Sequence, residues 1–489
     1  AAIVTSLRGL PMLAQEELTM FGYIAFAALL FLIPAGLVSA ELGGAFSHRE
    51  GGVYTWVGEA FGRKWGFVAV WLQWIENVVW YPTALAFAAV AVAFTLDNRD
   101  LANENVFIGL FCIGAYWGAT LIALSGTELL VKVTKAGFVL GTVIPGLVLL
   151  GLFAYWIIRG NDLGWDTTSN AAVATDAGGH MHPRWLPNYT GLGTLSFLAG
   201  ILLLFAGIEV QAVHAVEMRD ARRGFPLAIL MAAVMAVVML SLGGLAVAGI
   251  VSYDNISLTS GVFDAFDRAL TETGGPSVLV PALSLLICYG ALGGALAWIR
   301  GPARGLLTCA QDGFLPQFLR RTNAKGSERS ILLVQGVIVT VISSLYLFLD
   351  DVNTAFFLIS AITIGTYIVM YMMMYAAAIR LRYTQPNLER QFEIPGGITG
   401  MWTIAGLGFT AVAAALVLSF VPPDQLPVGS PATYVILVTT GTVLFTVVPL
   451  VITRLAKPSW RAGSSSHPDP SRSTIGRPPT PATPPPTPA

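Results

Sequence analysis

Long apolar runs, separated by short clusters of charged and small polar residues, recur along almost the whole chain. A bilayer core about 30 Å thick takes about 20 apolar residues per spanning helix. Runs of that kind lie at 20–42, 64–96, 105–125, 129–158, 193–218, 225–251, 276–299, 329–349, 352–381, 399–421 and 432–455. Ahead of them, Ala1 to Leu13 is apolar but too short to cross. It has neither the basic start nor the small-residue cleavage site of a signal peptide, so it reads as the second half of a truncated helix. The pattern predicts an all-α integral membrane protein of twelve helices, the first incomplete.

Composition agrees with this reading. The 489 residues are 55% hydrophobic and 11% charged, with mean hydropathy +0.69, whereas soluble domains are about one quarter charged. Charge changes the picture through its distribution. One set of alternate loops carries Arg49, Arg63, Lys64, Lys132, Lys135, Arg222, Arg223, Arg304, Arg320, Arg321 and Arg380. The opposite set holds only Arg99, Arg159, Arg184 and Arg268 as cations, and carries Asp97, Asp100, Glu104, Asp254, Asp264, Asp267, Asp350 and Asp351. The excess of Lys and Arg on inner loops places the basic set, and both termini, in the cytoplasm. Cys112, Cys288 and Cys309 fall in or beside apolar runs without metal-ligand spacing and read as small buried hydrophobes.

Two loops are long: 159–192, polar, and 300–328, with an amphipathic stretch from Pro302 to Leu319. Gly51 to Gly62 is aromatic, glycine-rich and too short to span, which fits either an interfacial or re-entrant helix or simple loop packing. Residues 1–457 are expected to form one membrane domain. Residues 458–489 form a Pro/Ser/Thr-rich tail whose composition favours disorder.

Candidate chemistry sits at two interruptions. Thr5 to Pro11 sets Arg8 and Gly9 inside a would-be span, and Phe205 to Glu209 sets Gly207 and Glu209 inside another. Transporters built from inverted repeats break the first helix of each repeat at the bilayer midplane. With the truncated helix counted as first, the second break falls in the sixth, so repeats at about 1–158 and 193–381 would correspond, followed by added helices at 399–455. Ionisable groups at membrane depth cost at least about 2.5 kcal/mol at a helix centre. Arg8, Glu76, Glu209 and His214 are therefore candidates, with Glu217 continuing a polar stripe behind Glu209. Each also has a plainer reading. Arg8 is a helix-end arginine reaching for the interface, Glu76 a carboxylate steadying a kink at Pro82, and Glu209 and His214 structural hydrogen-bonding groups. Trp298 ends a small-residue run, and Tyr367 and Tyr371 share a helix face; they supply either π-faces for an ammonium group or packing. No nucleotide, metallohydrolase, serine-hydrolase or Cys/His metal motif occurs, so neither an enzyme nor an ATP-driven pump is expected, and no cofactor, metal or nucleic-acid partner. Assembly with further copies is left open.

The chain resembles the amino acid/polyamine/organocation superfamily and, within it, the bacterial glutamate/GABA antiporters of acid resistance. The resemblance rests on the break ending at Pro11, Ile33-Pro34 through Ala40-Glu41, Gly51-Gly52-Val53 with Trp56-Val57, Arg63 to Phe67, Gly207-Ile208-Glu209, His214 to Met218, Trp298 with Gly301 to Gly305, and Ile394 to Gly397. It implies a LeuT-like five-plus-five fold with two added helices, alternating access in a bacterial inner membrane, and exchange of glutamate or a related amino acid for its decarboxylated product. A proton-coupled amino-acid or polyamine symporter and a non-transporting membrane sensor are the alternatives. Arg8, Gly9, Gly207, Glu209, Trp298, Tyr367 and Tyr371 are the expected substrate-binding residues, and Glu76, His214 and Glu217 the gating or proton-linked ones. Arg8 stands where the antiporters have tyrosine, and Gly294 where they have glutamate.

Overall fold

The structure, a computed structural model, describes residues 7–47, 49, 51–166, 173–175, 181–183, 185, 191–210, 221–324, 326–349, 351–423, 430–457 and 460. His214, Glu217 and the tail apart from Trp460 lie outside these residues. Among the described residues, ten helices are long and apolar enough to cross a membrane.

A 3-10 turn at Leu7–Gly9 leads into α1 (Leu10–Ala14), with Pro11 in the first turn, where its missing N–H costs nothing. The second span joins α2 (Met20–Ala27) to α3 (Ile33–Ala45) through a π-helical turn at Ala28–Leu32. After the short α4 (Val53–Phe61), α5 (Arg63–Thr95), α6 (Asn105–Leu124), α7 (Thr127–Phe138) and α8 (Ile144–Ile158) follow, the last two again joined by a π turn, Val139–Val143. Both π turns end two residues before a proline, Pro34 or Pro145. A proline ring clashes with the carbonyl one turn back and has no N–H to offer it, and the wider turn makes room without ending the helix.

In the polar loop, three-residue strands β1 (Val173–Thr175) and β2 (Met181–Pro183) pair antiparallel, a detail that the sequence reading did not contain. Next comes α9 (Ser196–Leu204), which stops well short of the single span expected at 193–218. The structure then runs through α10 (Ala221–Ile250), α11 (Gly261–Thr273), α12 (Leu279–Ile299), α13 (Gly301–Gln311), α14 (Arg329–Ser343), α15 (Leu345–Phe348), α16 (Val352–Thr384), α17 (Gly397–Ser419) and α18 (Pro431–Leu455). α11 was not expected: at 13 residues it is too short to span and falls in what reads as a loop.

α5 and α16, 33 residues each, form the centre. At about 1.5 Å per residue they are near 50 Å long and project beyond the hydrocarbon. α5 packs on α12, α16 and α4. Where α12 meets the π turn before α8, a Cβ on Gly141 would come within 2.3 Å of the Gly290 Cα, so two glycines let the backbones touch. At the basic end, Glu41 of α3 accepts from Arg382 Nε at 2.8 Å, Arg382 Nη2 at 2.7 Å and the Ile394 N–H at 2.8 Å, and Arg390 Nε lies 3.1 Å from it. Two stretches that carry the resemblance, ending at Glu41 and beginning at Ile394, are thus joined in space.

Candidate functional site

The second interruption is a real break. After α9 the chain turns at Phe205, and Gly207 takes φ +101°, a left-handed conformation that side chains disfavour. A Cβ there would also lie 2.3 Å from Cη2 of Trp298, whose indole comes off the end of α12. Gly207 therefore serves twice: it turns the backbone and makes room for the Trp298 ring.

Immediately beyond, Glu209 is 1% exposed. Tyr367 and Tyr371, one turn apart on α16, donate their hydroxyls to its Oε1 and Oε2 respectively. Gln73 Nε2 of α5 donates to Oε1 at 3.0 Å. The Gly207 N–H in turn donates to the Tyr371 hydroxyl oxygen at 2.9 Å, so Tyr371 ties the break to the carboxylate. Among the described residues no cation pairs with Glu209. Its oxygens are satisfied by neutral donors.

The first interruption brings up Arg8, half-buried. Its Nη1 donates to Thr83 Oγ1 of α5 at 2.9 Å. The guanidinium carbon lies 5.6 Å from the centre of the Trp80 ring and 5.4 Å from that of Phe356, between an α5 and an α16 aromatic. Two aromatic faces and a fixed acceptor hold the planar fork in one place. Glu76, on the same α5 face and 4% exposed, is within electrostatic reach of both Arg8 and Glu209, and its Oε2 has no hydrogen-bond partner. Gly9 lies against Leu204 at the end of α9, so the two interruptions adjoin. Trp298 and Trp80 rings are 6.2 Å apart, linking the halves.

The structure thus brings together Arg8, Gly9, Gly207, Glu209, Trp298, Tyr367, Tyr371 and Glu76. Gln73, Trp80, Thr83 and Phe356 were missed as site residues. Three of these had a signal: 73, 76, 80 and 83 are spaced by three, four and three, one face of a helix. Phe356 had none in an apolar run. Chemically, the centre offers a hydrogen-bonded carboxylate, a fixed guanidinium and aromatic rings.

The amino acid permease family pattern matches residues 2–443. An uncharacterized transporter of Legionella pneumophila is 38% identical, covering 91% of this chain and 92% of its own. A glutamate/gamma-aminobutyrate antiporter of Lactococcus lactis is 30% identical over 93% of this chain and 88% of its own. A probable agmatine/putrescine antiporter of the same species is 26% identical over 89% of each. With the match running nearly end to end, the chain belongs to the amino acid permease family, multi-pass membrane transporters of amino acids.

Proposed function

We propose that this permease exchanges glutamate, or a closely related amino acid, for its decarboxylated product. The observation that carries the reading is that Arg8 and Glu209, a cation and a carboxylate, stand at two adjoining interruptions of the chain. Glutamate and GABA share one carboxylate and one ammonium group, and these two residues match those ends. Trp298 and the tyrosines wall the carbon chain between them. The Lactococcus antiporter's name supports the same choice. A polyamine, the cargo named for the more distant relative, would bring positive charge to Arg8 with nothing to satisfy it.

In this reading the breaks are the midplane interruptions of a LeuT-like five-plus-five core, with α17 and α18 as the added helices. The basic loops and both termini face the cytoplasm of a bacterial inner membrane. Glu76 is the counter-charge of Arg8 and the first choice for a proton-linked group, with His214 and Glu217 as further choices.

Counterflow in proteoliposomes tests the proposal. Labelled glutamate is expected to enter vesicles loaded with glutamate or GABA and to stay out of empty ones. Equal uptake into empty vesicles under an imposed proton gradient would establish symport instead, and binding without flux a sensor.

A further inference from the structure

A cleft of about 240 Å³ lies between α5, α13, α14 and α18 at the basic end of the bundle. Trp71, Trp74, Leu319, Ile331, Leu455 and Trp460 are among its walls, and every lining side chain is apolar or aromatic. The same helices present Val337, Val341 and Val451 outward, so the cleft opens on the surface that faces hydrocarbon. Its rim is charged. Arg454 precedes Leu455, Lys457 follows it by two residues, Arg321 follows Leu319 by two, and Arg329 precedes Ile331 by two. All four side chains are exposed, and among the described residues none has an ion-pair partner. Beside Leu319, Arg320 donates Nε to the Ala310 carbonyl at 2.7 Å, while its Nη2 is a buried donor without an acceptor.

We infer that this cleft is a binding site for an anionic phospholipid, separate from the central exchange site. An acyl chain fits the apolar walls, and the phosphate and headgroup charge fit the basic rim. Basic pockets between spanning helices bind anionic headgroups for this reason. A second copy of the chain fits poorly, because a two-fold contact would set the basic rim against itself. Residues 461–489 fit poorly too, being polar and proline-rich, with three arginines to one aspartate.

The test is native mass spectrometry of the full chain, delipidated in detergent and then given equal phosphatidylglycerol and phosphatidylcholine. The wild type is expected to retain one phosphatidylglycerol in clear preference to phosphatidylcholine. Arg454→Gln with Lys457→Gln alters only exposed side chains and is expected to lower that preference about tenfold. Leu319→Trp fills the cleft and is expected to lose the retained lipid while amino-acid exchange in proteoliposomes persists. The inference is overturned if the wild type holds both lipids equally, or if the charge variant keeps the full preference. It is also overturned if Leu319→Trp retains lipid like the wild type, or if the wild type forms dimers that Leu319→Trp abolishes.

Discussion

The hydroxyls of Tyr367 and Tyr371 both donate to Glu209, yet they are not equivalent, because only Tyr371 also accepts the Gly207 N–H. Removing one donor from a buried carboxylate costs about 1–3 kcal/mol, and stranding a backbone N–H adds a comparable amount. Tyr367→Phe is therefore expected to raise the half-saturation concentration for exchange several-fold, and Tyr371→Phe by more than an order of magnitude. Equal effects would show that the link from Tyr371 to the break contributes nothing. Arg8 needs a different substitution, since Arg8→Ala strands Glu76 and fails on any reading. Arg8→Tyr supplies the residue that the resembling antiporters carry. It is expected to retain exchange and shift preference among acidic, neutral and decarboxylated substrates in a competition assay. An unchanged order at normal flux, or loss of folding rescued by Glu76→Gln, would assign Arg8 to internal pairing. Glu209, Arg8 and Glu76 were legible in the sequence because charge at membrane depth is conspicuous. Their partners were less so. The α5 face with Gln73, Trp80 and Thr83 has helical spacing but a common composition, and Phe356 is one apolar residue among many.

Among elements, the basic-end cluster binds three pieces of chain: α3, α16 and the segment before α17. Glu41 is 1% exposed and meets two arginines and a backbone N–H. Glu41→Gln leaves buried Arg382 with Glu393 as its remaining carboxylate. A loss of about 3 kcal/mol, the lower end for breaking a buried pair, is expected as a lowered Tm in detergent. No change would mean that water reaches the arginines freely. α11, outside the spans, carries a pH dependence. Burial raises the Asp264 carboxyl to about 6, against the opposing effects of the Ser260 hydroxyl at 2.7 Å and the nearby Arg99. The sign follows from which state holds the proton. Below the ordinary value of 3.8 both states hold it; between 3.8 and about 6 only the folded state does; above about 6 neither does, and the cost of the buried charge is complete. Raising pH from 4 to 7 is thus expected to destabilise α11, by on the order of 2 kcal/mol at most for this partly exposed group. Hydrogen exchange of α11 reads this, and Asp264→Asn is expected to flatten it. α11 itself escaped sequence reading because its amphipathic 13 residues match no spanning run.

For the whole molecule, exchange follows from differential binding. A ligand moves the equilibrium between inward and outward states only by its unequal affinity for them, so an unloaded carrier that returns slowly makes internal substrate obligatory. The counterflow experiment reads that property of the assembled bundle, which no single residue holds. The sequence alone determined the membrane character, most of the long apolar helices and the break at Gly207, because the bilayer imposes run length and the cost of charge residue by residue. It also carried the family. Only the tertiary structure decided what each break meets. Gly207 lies under Trp298, ninety-one positions away in the chain, Glu41 meets Arg382, and Arg8 lies between Trp80 and Phe356. Hydropathy records how well a residue tolerates lipid. The partner of a buried charge is set instead by which helices pack together, through side-chain shape and close glycine contacts spread over the whole chain.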